Sequence, residues 1–183
     1  MIITILAEPR SGSTNLANWF YFNKNFTTLF IPSDPKSKWY KAVSPKEYTY
    51  NTEHLLIKED YYHYKNFDEL ISISDKVILL YRENIEEQID SWTNAKLTNN
   101  WEKQWVSKNI KNNNETIFFK ELKNRFKKEY LDKNYFKISY EELYHNDGFQ
   151  KILDYLNMDE LKNKNFPYGT KYRIYVNKTN TVI

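Results

Sequence analysis

The sequence predicts an α/β fold: a three-layer sandwich with a largely parallel central sheet flanked by helices. Three observations carry that expectation. Apolar, β-branched runs, clearest at residues 2–7 (IITILA) and 76–82 (KVILLYR), read as buried strands. Stretches of helical periodicity alternate with such runs along the chain. The first run passes through a glycine-containing turn, PRSGST, straight into one of those helical stretches.

Each element follows from local pattern. After the first strand, residues 14–23 carry Leu16, Trp19 and Phe20 at helical spacing. FTTLFI is a second strand, closed by PSDP, and HLLIKED a short third. NFDELISIS is helical and leads into KVILLYR. NIEEQIDSWTNAKL is an amphipathic helix with Ile85, Ile89 and Trp92 on one face, Asn84 as its cap, and Glu86 and Glu87 in its first turn. KNIKNNNET is a polar loop. A helix over residues 115–132 sets Phe118, Leu122 and Phe126 on one side; YFKISY is a strand and GFQKILDYLNM a last helix. The tail KYRIYVNKTNTVI is extended or irregular. No repeat is visible, and residues 1–183 are expected to form one domain.

Composition narrows the chemistry. The chain has no cysteine, which removes disulfides, thiolate metal sites and cysteine nucleophiles. His54, His63 and His145 lack metal-ligand spacing, so no metal is expected. A net charge of +3 suits a small anion, whereas a dedicated nucleic-acid binder carries a dense basic block. Here the basic residues are scattered among acids, so no nucleic-acid partner is expected. The 16 tyrosines read as compositional bias rather than as so many binding residues. MIITIL lacks the basic start and apolar run of a signal peptide, and no stretch reaches the ~20 apolar residues of a membrane span. A cytoplasmic location is therefore expected; the oligomeric state is not legible.

The opening turn is built for an anion. Strand, glycine turn and helix N-terminus point backbone N–H groups at one spot, and the helix dipole favours negative charge there. Ser11, Ser13 and Thr14 add hydroxyls around Gly12, and Arg10 adds a permanent forked cation. The nucleotide-binding GxxxxGK[ST] pattern is not met, because Ser13 stands where the lysine belongs. A structural strand-to-helix turn is the plain alternative. Farther on, Arg82 ends a strand and Ser91 lies about two turns into the next helix. A guanidinium at the C-terminal end of a parallel strand faces the crevice where open α/β sheets bind ligands. A surface ion pair with a helix glutamate is the alternative for Arg82.

PRSGST after a first strand resembles the 5′-phosphosulfate loop of sulfotransferases that use 3′-phosphoadenosine-5′-phosphosulfate (PAPS), P-[KR]-S-G-[ST]-[ST]. KVILLYRENIEEQIDSW resembles the family's 3′-phosphate element, and Gln88 three before the serine is similar to the bacterial sulfolipid-type branch. FKISYEELYHNDGFQKILDYLNM resembles a third family segment. The resemblance implies a P-loop-like sulfotransferase fold and sulfuryl transfer from PAPS to a hydroxyl or amine, leaving 3′-phosphoadenosine-5′-phosphate (PAP). It assigns Arg10, Ser11, Gly12, Ser13 and Thr14 to the 5′ end, Arg82 and Ser91 to the 3′-phosphate, and Tyr140 to the adenine, unless Tyr140 is a core aromatic.

The resemblance also asks for a general base and a lysine near the sulfuryl group. IKED offers Lys58 at the family's lysine position and Asp60 at its histidine position. Other branches use a glutamate after the second strand; Ile31 stands there, and Asp34 is the nearest carboxylate. Asp60 is favoured over Asp34, with Glu59 behind. At this length there is little room for an acceptor-binding insertion, so an open cleft and an accessible acceptor are expected: a small molecule, a glycan, a lipid headgroup or a peptide tyrosine. Two rivals remain. One is a degenerate sulfotransferase fold that binds a nucleotide or glycan without chemistry. The other is a P-loop small-molecule kinase, which would want Mg²⁺ and a lysine after the loop glycine.

Overall fold

A computed structural model describes residues 1–24, 26–30, 54–62, 67–99 and 113–161. Its centre is a five-stranded sheet in the order β2-β3-β1-β4-β5, comprising β1 (Ile2–Ala7), β2 (Thr27–Phe30), β3 (Leu55–Asp60), β4 (Lys76–Tyr81) and β5 (Phe136–Ser139). Every pairing is parallel. β1 is the middle strand, with Ile5 opposite Lys58 of β3 and Ile78 of β4. Covered on both faces, β1 and β4 read as almost continuous apolar runs. The polar exception, Thr4, is fully buried and shares a 2.7 Å hydrogen bond with Ser74.

The helices are α1 (Ser13–Lys24), α2 (Phe67–Ile73), α3 (Ile85–Thr98), α4 (Asn113–Phe126, continued by a π-turn over Lys127–Leu131), α5 (Tyr140–His145) and α6 (Gly148–Leu156). Alternate strand residues feed two cores. Ile3, Ile5, Leu56, Ile78 and Leu80 meet Leu16, Trp19 and Phe20 of α1 and Ile152 and Leu153 of α6. Leu6, Ile57 and Leu79 meet Phe67 and Leu70 of α2, Ile89 of α3, and Phe119, Leu122 and Phe126 of α4. Each such apolar side chain, fully buried, contributes roughly 1.5–3 kcal/mol.

Four details differ from the sequence expectation. The buried stripe of α4 runs through Phe119, Leu122 and Phe126, with Phe118 at its flank, because the helix is rolled toward the sheet by one residue. Tyr140 opens a short helix rather than ending β5, since Ser139 caps it by accepting from the Glu142 amide at 3.0 Å. α3 buries a polar stripe, Gln88, Asp90, Ser91, Thr93 and Asn94, beside the apolar Ile89. Residues 113–116, expected to end the polar loop, instead form the first turn of α4; residues 108–112, the tail, and the PSDP segment with Ile31 and Asp34 lie outside the described residues.

This topology places a switch point beside β1. The chain leaves β1 into α1 on one face of the sheet, but leaves β3 and β4 into α2 and α3 on the other. Connections that part in opposite directions open a crevice at the strands' C-terminal ends.

Candidate functional site

The crevice is built from the turn after β1 upward. Arg10 and Gly12 both adopt left-handed backbone, φ 63° and 82°. For Gly12 this is cheap. For Arg10 it is strained by roughly 1–2 kcal/mol, a strain the surrounding contacts must offset. Ser11 Oγ donates to the Glu8 carbonyl at 2.7 Å and closes the turn. The amides of Asn15 and Leu16 both turn to the Gly12 carbonyl. Those of Ser13 and Thr14, in the first turn of α1, have no intrahelical acceptor and are directed out of the helix N-terminus. Tyr144 Oη also donates to the Gly12 carbonyl, at 2.9 Å. Its ring lies so close that a Cβ on Gly12 would sit 2.5 Å from it. Burial pushes the Tyr144 phenol up, so it stays a donor.

Arg82 comes from the end of β4 and is buried. Its Nη1 donates to the Arg10 carbonyl at 3.2 Å and its Nη2 to Glu87 at 2.6 Å. Its guanidinium carbon lies 4.3 Å from the centre of the Tyr140 ring. Arg82 Nε is buried without a hydrogen bond among the described residues, with Glu141 Oε1 3.9 Å away. Glu141 itself accepts from the amides of Glu83 and Asn84 and so fixes the loop after β4.

The two halves touch. Arg10 Nε donates to Ser91 Oγ at 2.9 Å. Burial pushes the Arg10 guanidinium down from its ordinary value, and the neighbouring Arg82 charge pushes it the same way, while Asp60 and Tyr140 oppose them. Two guanidinia in one partly desolvated crevice repel each other, and an anion between them relieves the repulsion.

On β3, Lys58 and Asp60 share the α1 side of the sheet, and Lys58 Nζ pairs with Asp60 Oδ1 at 2.6 Å. Lys58 is buried and Asp60 nearly so. Glu59 is fully buried and points to the opposite face, away from α1.

Against known proteins, the chain matches no family model and no curated sequence.

The structure thus brings Arg10, Gly12, Ser13, Thr14, Arg82 and Ser91 together, with Asp60 near enough to act on the Arg10 charge, whereas the Ser11 side chain is fully buried beneath the turn and closes it instead of facing a ligand. Tyr140 is in the core, under Arg82. Arg82 does make the ion pair with a helix glutamate that was its plain alternative, through Glu87. Asp34 lies outside the described residues. Among those residues, no group of three or more His, Cys, Asp or Glu is placed to hold a metal ion, and no helix is long and apolar enough to cross a membrane.

Sequence reasoning missed Glu8. Its carboxylate is buried where β1 ends and accepts from the Arg82 amide (3.1 Å), Gln88 Nε2 (3.3 Å) and Lys123 Nζ (3.2 Å). Gln88 Nε2 also donates to the Pro9 carbonyl at 2.7 Å. A glutamate closing an otherwise apolar buried strand was the available signal. Lys123, far along the chain on α4, gave none.

The donor set suits an anionic ligand. Two guanidinia, serine and threonine hydroxyls and outward amides converge, and the charged groups sit where a phosphate would be drawn.

Proposed function

We propose that this domain binds PAPS and transfers its sulfuryl group to a hydroxyl or amine acceptor, releasing PAP. The supporting observation is the single crevice shared by the PRSGST turn and the Arg82–Ser91 couple, held together by the Arg10–Ser91 hydrogen bond. The sequence resemblance assigns one element to each end of the nucleotide, and a shared crevice is what that assignment requires.

When bound, PAPS supplies an electrophilic sulfur joined to a phosphate that leaves as part of PAP. The chain's own residues hold and orient. The amides and hydroxyls of Ser13 and Thr14, with Arg10, grip the 5′ end, while Ser11, its buried hydroxyl donating to the Glu8 carbonyl, shapes the turn; Arg82 and Ser91 grip the 3′-phosphate. Arg10 and Lys58 offset the negative charge that grows on the leaving phosphate. Asp60, through the carboxylate oxygen that Lys58 does not hold, takes the proton from the acceptor oxygen or nitrogen as that atom attacks. Asp34 is the second candidate for that proton. Positioning in line supplies much of the remaining rate.

Calorimetric titration with PAP and ATP, followed by transfer from sulfur-labelled PAPS across a panel of sugars, lipid headgroups and tyrosine peptides, tests the reading. PAP binding with labelled product is expected; ATP binding in preference to PAP rejects it in favour of a kinase. A second reading, binding without transfer, has one contact in its favour: Lys58 already occupies Asp60 Oδ1. Tight PAP binding with no labelled product on any acceptor would select it.

A further inference from the structure

We propose that Glu8 and Lys123 are positioning residues that lock the two arginine-bearing segments into one anion site. The inference rests on the reading of the crevice as a nucleotide site, and it concerns residues that reach no ligand themselves.

Lys123 Nζ, reaching in from α4, donates both to Glu8 Oε2 and to the Arg82 carbonyl. The same Glu8 oxygen takes the Arg82 amide. Both polar groups of the Arg82 backbone are therefore held by the Glu8–Lys123 pair. Gln88 of α3 joins the pair to the Pro9 carbonyl, and Arg82 Nη1 returns to the Arg10 carbonyl. The ring of contacts links both arginine-bearing segments. Glu8 directly follows β1, before PRSGST, and Arg82 directly follows the neighbouring β4; the two strands are paired in register up to Ala7 and Leu80. One more backbone bond, from the Glu8 amide to the Leu80 carbonyl at 2.9 Å, continues the ladder, and beyond it the Glu8–Lys123 pair takes over. The Glu8 carboxylate is buried and the Lys123 ammonium partly so, and the arrangement resists change because losing Lys123 strands the carboxylate in a desolvated place. Arg10 also holds a strained φ, which persists only where neighbours over-determine it.

The test compares wild type with Lys123→Met, Lys123→Arg and Glu8→Gln. Amide hydrogen exchange is followed in the ligand-free proteins over residues 8–14 and 82–84, with α6 as the internal reference, and PAP is titrated calorimetrically. Lys123→Met is expected to speed exchange at the turn and at the Arg82 amide together, leave α6 at its wild-type rate, and weaken PAP roughly 2- to 30-fold. Lys123→Arg, which keeps the charge, is expected to restore both. If Lys123→Met does not fold, the isosteric Glu8→Gln supplies the same comparison. Unchanged exchange at the two segments overturns the inference, whether PAP binds or not. So does uniform acceleration that includes α6, since Lys123 would then be ordinary packing. Wild-type protein that fails to bind PAP overturns the sulfotransferase reading alone, with the exchange pattern still deciding the role of Glu8 and Lys123.

Discussion

Arg10 and Ser91 lie 81 residues apart in the sequence and meet at 2.9 Å, the guanidinium Nε donating to the hydroxyl. That contact joins the turn after the central strand to a helix that follows its neighbour. It makes the crevice one site rather than two, and it sets what each substitution should do.

Arg82→Ala should weaken PAP binding by roughly 2–4 kcal/mol, through loss of a charge-assisted fork. The loss has two sources. On the proposed reading the guanidinium grips the 3′-phosphate, and in the structure its Nη1 also holds the Arg10 carbonyl. Arg82→Lys should recover only part, because an ammonium cannot contact phosphate, Arg10 and the Tyr140 face together. Calorimetry with PAP reads both variants; unchanged affinity in Arg82→Ala would remove Arg82 from the site.

Glu87→Gln should act in the opposite direction. Glu87 is the resident counter-ion of Arg82, at 2.6 Å, with its side chain 51% exposed. A half-exposed pair is weak, about 0.2–1 kcal/mol, so an incoming phosphate can displace it. Removing the competing carboxylate should tighten PAP by about 2- to 5-fold at low salt, with the gain shrinking as salt rises. Weaker binding in Glu87→Gln would show that the carboxylate orients Arg82 instead of competing for it.

How much of this was legible can be seen in particular residues. β1 and β4 stood out because strands buried on both faces are unbroken apolar runs. Arg10, Arg82 and Ser91 stood out because they follow those strands at recognisable spacing. The face of α4 was misjudged by one residue, since consecutive Phe118 and Phe119 satisfy a helical period almost equally and tertiary packing chooses between them. Tyr140 sits where a strand residue and a helix start look alike, and the Ser139 cap decides. Lys123 was invisible for a different reason: an isolated lysine on an amphipathic helix reads as solvated until the fold brings Glu8 beneath it.

Gly12→Ala should destabilise the protein by about 2–4 kcal/mol. A side chain at φ 82° is strained, and the new Cβ would fall 2.5 Å from Tyr144 Cε2. The two causes separate in a double-mutant cycle. In a Tyr144→Ala background the collision is gone and the backbone strain remains, so Gly12→Ala should cost less there. Equal costs in the two backgrounds, from chemical denaturation, would refute the steric part.

Glu8 should leave a mark on stability against pH. Burial raises its carboxyl above the ordinary 4.5, and the Lys123 charge and the Arg82, Lys123 and Gln88 hydrogen bonds only partly oppose that. The folded state then holds this proton to higher pH than the unfolded chain does. Between the two values the folded state binds more protons, so stability falls as pH rises through that window and is level above it. Relative to Glu8→Gln, the wild type should therefore lose stability as pH climbs from about the ordinary carboxyl value to the raised one. Denaturant unfolding of both proteins from acid to neutral pH measures the difference. A difference that grows in favour of wild type with rising pH would mean that Lys123 outweighs burial.

Asp60→Asn separates chemistry from binding. The carboxylate stands on the same side of β3 as Lys58, which already fills Oδ1, and its charge is felt by Arg10. As the base, it touches the acceptor proton only in the transition state, so its loss should lower kcat by roughly 10²- to 10⁴-fold. PAP affinity should not fall. Removing a negative charge beside Arg10 leaves more of that cation for the 5′ end, and affinity should hold or rise slightly. Acceptor transfer kinetics and PAP calorimetry on the same variant give both quantities. A full kcat in Asp60→Asn would pass the proton to Asp34, and Asp34→Asn would then have to show the loss.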